Sequence, residues 1–232
     1  MANPEKGKNT VRKCSRRDLA YVLARKMNGS TTVAGTMYCA NLAGIKIFAT
    51  GGVGGVHRGA EETFDISADL TELSKTPVFV VSAGVKAILD LPKTLEYLET
   101  MGVPVVSYGS DYFPAFYTAN SGLKTEFRCD TPKECAEMIH AQSILNLQTG
   151  MIIANPIPAD KEANAEGINK AIEQALKEAD EQGYTGAKNS PFVLKRINEL
   201  TGGESSSSNV ELIKNNAALA AKIAVELSQL QA

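Results

Sequence analysis

The sequence contains no apolar run of the roughly 20 residues that a membrane-spanning helix needs. The longest candidate, residues 78–85, is far too short, so we expect no membrane partner. The opening segment, MANPEKGKNTVRKCSRRD, lacks the apolar middle of a secretory signal. We therefore expect a reducing, cytoplasmic location with free thiols.

Residue types that bind zinc are scarce and poorly spaced. The chain has four cysteines and two histidines, with no CxxC pair and no Cys/His zinc pattern. These residues are Cys14, Cys39, Cys129, Cys135, His57 and His140. A zinc cage is therefore not expected.

An excess of charge of either sign is also missing. The 24 Lys and Arg residues against 26 Asp and Glu residues give a net charge of −2, which excludes a strongly basic nucleic-acid binder. With 232 residues, 44% of them hydrophobic, the chain is long and apolar enough for a sizeable core. We expect a polar leader over residues 1–10 and one domain over residues 11–232.

Apolar β-branched runs alternate with segments of helical period, which predicts a three-layer α/β/α fold with a mostly parallel sheet. The predicted strands are 45–50, 77–82, 103–107 and 151–154. The predicted helices between them are 33–43, 85–98 and 131–145. A helical C-terminal third follows, with helices over 164–181, 191–200 and 209–230 and a flexible serine loop over 205–208.

A glycine-rich segment, TGGVGGVHRG, directly follows the first predicted strand. Its glycines allow the backbone to approach an anion, and Thr50, His57 and Arg58 supply further donors. The spacing matches neither a dinucleotide fingerprint nor a P-loop, which disfavours a nicotinamide or ATP role. A tight structural turn is the alternative, with His57 as a structural histidine.

Lys86 follows the second predicted strand among apolar neighbours. Partial desolvation would lower its pKa and free its amine for attack on a carbonyl, which makes it a Schiff-base candidate. The alternative is a surface ion pair with Asp90 one helical turn later.

Two carboxylates flank a serine in the segment FDISAD. Asp65 or Asp69 could hold a hydrated divalent cation or move a proton. The alternative is that Ser67 or Asp69 caps a helix over residues 70–74. A basic cluster over residues 12–17 is either a solvated face or an anchor for an anionic substrate.

Seven motifs in fixed order resemble the pseudouridine-5'-phosphate glycosidase family, also called indigoidine synthase A-like. They are KCSRRDL, NGSTTVAGTM, FATGGVGGVHRGAEETFDISADL, SAGVKAILD, ANPIP, SPFVLKRINELTGG and KNNA. The resemblance implies a homotrimeric enzyme with Mn²⁺ that reversibly splits pseudouridine 5'-phosphate into ribose 5-phosphate and uracil. It further implies that a lysine, here Lys86, forms a Schiff base with the ring-opened sugar.

The same resemblance implies roles for further residues. Asp65 corresponds to a metal-binding aspartate, and Asp69 to a substrate contact that also transfers a proton. Other substrate-binding positions implied by it are Lys13, Val33, Thr50, His57, Ser67, Ala68 and Asn209.

One feature of the family has no counterpart at the start of the chain. Family members carry a segment ahead of the Lys13 motif with a proton-donor glutamate, and residues 1–10, including Glu5, do not resemble it. An N-terminally shortened enzyme is the leading expectation. The alternatives are an inactive family member that acts as a binding or assembly subunit, and a lysine-dependent sugar-phosphate lyase of aldolase type.

Overall fold

The computed structural model describes residues 11–184 and 189–231. The leader predicted over residues 1–10 lies outside the described residues. A five-stranded, fully parallel sheet has the strand order β3-β4-β7-β5-β6, and β1 and β2 form a separate two-stranded parallel sheet. The strands are β1 Arg12–Cys14, β2 Gly29–Thr31, β3 Ile47–Ala49, β4 Phe79–Ser82, β5 Val105–Tyr108, β6 Phe127–Cys129 and β7 Met151–Ala154.

The helices begin at residues that satisfy free backbone N–H groups. Thr131 caps α6 in a capping box with Glu134, and Asp90 caps α5 by accepting a hydrogen bond from the Lys93 N–H. The helices are α1 Arg16–Ala24, α2 Val33–Leu42, α3 Ala60–Thr63, α4 Ala68–Leu73, α5 Leu91–Thr100, α6 Pro132–Ile144, α7 Ala165–Glu181, α8 Asn189–Leu200 and α9 Glu204–Leu230. Within the described ranges, no helix is both long and apolar enough to cross a membrane.

Both faces of the large sheet are buried, as the α/β/α prediction requires. Because successive side chains of a strand point to opposite faces, Phe79 and Val81 pack against α6 and α9. Val80 and Ile152 pack on the other face, in a core that includes α2, α4, α5, α7 and α8. The fold class is confirmed, and each predicted strand overlaps an observed one.

Two predictions about local structure were wrong. The predicted helix 85–98 begins only at Leu91, because Val85 pairs with Val53 in an isolated bridge and holds the chain extended. The serine run is not a loop but the first turns of α9. Ser205 and Ser208 are buried there, and Ser208 donates to the Lys161 carbonyl, so tertiary contacts stabilise a segment of weak helix formers.

An ion pair between the half-exposed Arg16 and the buried Glu72 joins α1 to α4. The Arg16 guanidinium donates to Oε1 of Glu72 at 3.0 Å, and the Glu72 side chain is 3% exposed. Thr76 donates to the same oxygen, and the Arg16 guanidinium stacks on the Tyr38 ring. The pair places α1, and with it the β1–β2 sheet, against the main domain.

We expect Arg16→Ala to lower the free energy of unfolding by about 1–3 kcal/mol, because it leaves a buried carboxylate without its charged partner. Urea unfolding followed by circular dichroism measures the change. Lys170→Ala is the control, since its pair with Glu166 is exposed on both sides and contributes about 0.5 kcal/mol or less. Equal effects of the two substitutions would contradict the role assigned to Arg16.

Candidate active site

A single cleft of about 1100 Å³ lies beyond the carboxyl ends of β3 and β4. It collects every residue to which the family resemblance gave a role. These are Lys13, Val33, Thr50, His57, Asp65, Ser67, Ala68, Asp69, Lys86 and Asn209. Arg58, suggested as a further donor beside the glycine-rich segment, does not line it. Segments far apart in the chain therefore meet at one edge of the sheet.

Lys86 lies on a loop between β4 and α5, not on a helix. Its N–H donates to the Val53 carbonyl at 3.1 Å, and the Val53 N–H donates to the Gly84 carbonyl at 3.0 Å. The predicted alternative of a helical ion pair with Asp90 is therefore wrong. Asp90 caps α5 and pairs with Lys93 instead.

The surroundings of Lys86 favour its neutral amine. Burial lowers the pKa of Lys86, and the nearby Lys13 ammonium lowers that pKa further, while the Asp69 carboxylate opposes the shift. A neutral amine carries the lone pair that attacks a carbonyl. The direction of the Lys86 pKa shift is the one that the Schiff-base hypothesis requires.

Asp69 is buried, with 4% of its surface exposed, and both its oxygens accept backbone hydrogen bonds. Oδ1 accepts from the Ala34 N–H at 2.8 Å, and Oδ2 accepts from the Gly54 N–H at 2.9 Å. A Cβ at position 54 would lie 2.7 Å from Oδ2 of Asp69, so only glycine fits there. The capping alternative holds for Ser67, whose hydroxyl accepts from the Asp69 N–H at the start of α4.

His57 and Asp65 both line the cleft, and Nδ1 of His57 lies 3.9 Å from Oδ2 of Asp65. Burial lowers the pKa of His57, the Asp65 carboxylate raises that pKa, and the charges of Lys13 and Lys86 lower it. Among the residues that the structure describes, no group of three or more His, Cys, Asp or Glu side chains is arranged to hold a metal ion. The partly exposed Asp65 carboxylate fits only a hard ion that keeps most of its waters.

The glycine-rich segment forms the floor of the cleft. Gly51, Gly52 and Gly54 line it, and the segment is fastened by the Val53–Val85 bridge. Within the described part of the chain, the N–H groups of Gly51 and Gly52 have no acceptor. Free N–H groups on a cleft floor suit an anionic or carbonyl oxygen, which favours the anion-site alternative over a purely structural turn.

Two aromatic residues of the cleft were missed by the sequence analysis. Phe116 and Tyr117 lie on the loop between β5 and β6, with their rings edge to face at 4.7 Å. Phe116 has a left-handed φ of 68° and packs its ring against Gly52. No periodicity or motif in that loop signals either position.

The chain matches the model of the family described as Indigoidine synthase A like protein over residues 2–226. It is 54% identical to the pseudouridine-5'-phosphate glycosidase of Clostridium botulinum over 97% of this chain and 73% of that protein. The enzyme of the same name from Caldanaerobacter subterraneus is 57% identical, over 95% of this chain and 72% of that protein. The enzyme of the same name from Arabidopsis thaliana is 52% identical, over 95% of this chain and 67% of that protein.

Solved structures give the same assignment at the level of the fold. The prealnumycin C-glycosynthase AlnA, solved in complex with ribulose 5-phosphate, superposes with a TM-score of 0.89 at 36% identity, over 98% of this chain and 74% of that chain. An indigoidine synthase A-like protein from Thermotoga maritima superposes with a TM-score of 0.86 at 33% identity, over 94% of this chain and 72% of that chain.

We expect the amine of Lys86 to react with acetic anhydride at lower pH than the amines of exposed lysines do, because burial lowers its pKa. Brief labelling over a pH series, read by mass spectrometry of each lysine, gives the midpoint for Lys86 and for the exposed Lys170. In Lys13→Met the midpoint of Lys86 should rise, because a positive charge that lowers its pKa is removed. A midpoint at or above that of Lys170 in the unsubstituted protein would contradict this assignment.

Proposed function

The chain belongs to the indigoidine synthase A-like family, and from this membership and its lysine-centred cleft we propose that it cleaves pseudouridine 5'-phosphate to ribose 5-phosphate and uracil. The observation that carries the proposal is Lys86, a partly buried amine with a lowered pKa on the floor of the cleft. AlnA, named as a C-glycosynthase, was solved with a sugar phosphate bound. That complex supports a sugar phosphate as the ligand class of this fold.

The chemistry requires a covalently bonded nucleophile that donates an electron pair to C1' as the base leaves. In pseudouridine the base is joined through carbon, so uracil cannot leave as an ordinary nitrogen leaving group. Opening of the sugar ring breaks the bond between C1' and the ring oxygen, which takes a proton, and the Lys86 amine bonds to C1'. The nitrogen lone pair then forms an iminium with C1' while the bond between C1' and C5 of uracil breaks. C5 of uracil takes a proton, and water then hydrolyses the imine to release ribose 5-phosphate and free Lys86.

The remaining residues position the substrate and stabilise charge. Lys13 faces the phosphate or a sugar oxygen, and Val33, Thr50 and Asn209 shape the pocket. Asp69 is the carboxylate whose charge raises the pKa of Lys86, and it stabilises the cationic iminium. Because both oxygens of Asp69 already accept backbone N–H groups, it acts as a fixed counter-charge more readily than as a proton carrier.

A hydrated divalent cation, Mn²⁺ by family resemblance, is part of the proposal. Asp65 would hold it, mainly through bound waters, and the ion would supply electrostatic stabilisation for substrate oxygens. His57 lies beside Asp65, and its backbone N–H donates to the Asp65 carbonyl at 3.0 Å. A homotrimeric assembly is likewise proposed from the resemblance, and the cytoplasmic location predicted from the sequence stays a prediction.

The proposed lysine chemistry is tested by borohydride reduction in the presence of ribose 5-phosphate. We expect a stable adduct on Lys86, together with uracil release from pseudouridine 5'-phosphate. Lys86→Arg should abolish both results, whereas Lys170→Arg, on the exposed face of α7, should preserve both.

Three outcomes separate the alternatives. A folded sample that binds ribose 5-phosphate but gives neither adduct nor uracil would favour a binding or assembly subunit and overturn the proposal. Aldol cleavage of another sugar phosphate without action on pseudouridine 5'-phosphate would favour an aldolase-type lyase. Uracil release without an adduct on Lys86 would overturn the role of Lys86 alone.

We expect Asp65→Asn to weaken Mn²⁺ binding by on the order of tenfold or more, because it removes the charge that faces the ion. The electron paramagnetic resonance signal of free Mn²⁺ during a titration measures binding independently of activity. Asp111→Asn is the control, since Asp111 is exposed and pairs with Arg128 outside the cleft. Unchanged affinity in Asp65→Asn would show that the ion binds elsewhere.

A further inference from the structure

Two asparagines that the proposed chemistry does not use are buried beneath the cleft. Asn155 directly follows β7 and Asn216 lies in α9, and they are 5% and 0% exposed. They belong to the motifs ANPIP and KNNA, to which no role has been given. A buried amide carries donors and acceptors that need partners, so their hydrogen bonds indicate what they hold in place.

The two side chains form a chain of hydrogen bonds that ends on a residue of the cleft. Nδ2 of Asn155 donates to Oδ1 of Asn216 at 3.1 Å. Nδ2 of Asn216 donates to the backbone carbonyl of Thr50 at 2.8 Å. The Asn155 N–H donates to the Ser82 carbonyl at 2.8 Å. One network therefore joins α9 to the carboxyl ends of three adjacent strands, β3, β4 and β7.

The bond from Asn216 determines the orientation of the peptide between Thr50 and Gly51. In a trans peptide the carbonyl and the following N–H point in opposite directions. Because the Thr50 carbonyl points toward Asn216, the Gly51 N–H points away from it. Among the described residues that N–H has no acceptor, and both Thr50 and Gly51 line the cleft.

Of the residues with described positions, only Asn216 donates to the Thr50 carbonyl. Glycine populates a wide range of backbone angles, so a peptide next to Gly51 rotates readily when its partner is removed. A buried carbonyl without a donor carries a free-energy cost that such a rotation relieves. Asn216 is therefore the group that keeps the donor of Gly51 available to a ligand.

We propose that Asn216 is a positioning residue: it fixes the Thr50–Gly51 peptide so that the Gly51 N–H and the Thr50 side chain meet the bound sugar phosphate or its base. This inference rests on the proposed function. It assigns one residue of each motif, Asn155 and Asn216, a shared task, which is to hold the Thr50–Gly51 peptide at the floor of the cleft. Asn216 does not itself contact the substrate.

The test compares Asn216→Leu and Asn216→Ala with the same substitutions at Asn215. Asn215 is the matched control, because it is the neighbouring asparagine on α9 and donates to the Pro156 carbonyl at 3.0 Å, but does not reach Thr50. Thermal unfolding of all four variants measures the folded fraction. Steady-state kinetics with pseudouridine 5'-phosphate and calorimetry with ribose 5-phosphate measure the site.

In the Asn216 variants we expect KM to rise by on the order of tenfold while kcat changes by less than about threefold, because ground-state and transition-state binding are lost together. The dissociation constant for ribose 5-phosphate should rise in parallel. The Asn215 variants should keep both values. A purely structural role would instead lower the apparent kcat through a smaller folded fraction and leave KM unchanged, which would overturn the inference.

Failure of the proposed function is distinguishable from failure of this inference. If the unsubstituted protein binds ribose 5-phosphate without releasing uracil, the proposed reaction fails, and the calorimetric comparison still decides the role of Asn216. If the unsubstituted protein turns over and the Asn216 variants match the Asn215 variants, only the positioning inference fails. A folded protein that neither binds nor reacts overturns both.

Discussion

The buried carboxylate of Asp69 connects the start of α2 to the glycine-rich segment by hydrogen bonds. One oxygen accepts from the Ala34 N–H at the start of α2, and the other accepts from the Gly54 N–H of the glycine-rich segment. Hydrogen bonds to an ionised acceptor are about twice as strong as neutral ones, and burial protects them from water. The absence of a Cβ at Gly54 is the steric condition for this contact.

A series of backbone hydrogen bonds connects the other loops of the site to the segments that Asp69 joins. Ser67 donates its N–H to the Gly55 carbonyl, Val53 pairs with Val85, and the Lys86 N–H donates to Val53. Each loop is thus held by backbone hydrogen bonds to the next. The lysine lies at the end of the series, where burial and the Lys13 charge favour its neutral form and the Asp69 charge limits the shift. The acid–base behaviour of Lys86 therefore depends on the same carboxylate that holds the loops.

Much of the fold was predictable because its signals are local. The run Met151–Ala154 was predicted with its observed bounds as a buried strand, and the predicted helix 131–145 begins within one residue of the start of α6. The two failures have a common cause. Residues 85–90 contain good helix formers yet are not helical, and the serine run contains weak helix formers yet is helical. Each adopts the structure that its tertiary contacts favour over its local preference.

The sequence by itself determined the fold class and the capped helices. Its motifs in fixed order also indicated which residues line the cleft. These depend on side-chain period, capping chemistry and residue identity, all of which can be read along one chain. Only the tertiary structure decided that Lys86 lies on a loop and not on a helix, that Phe116 and Tyr117 belong to the cleft, and that Asn216 reaches Thr50. Such contacts join residues up to 166 positions apart. The burial, the local charge and the hydrogen-bond partners of a site residue depend on neighbours from several distant segments, and no local sequence pattern specifies them.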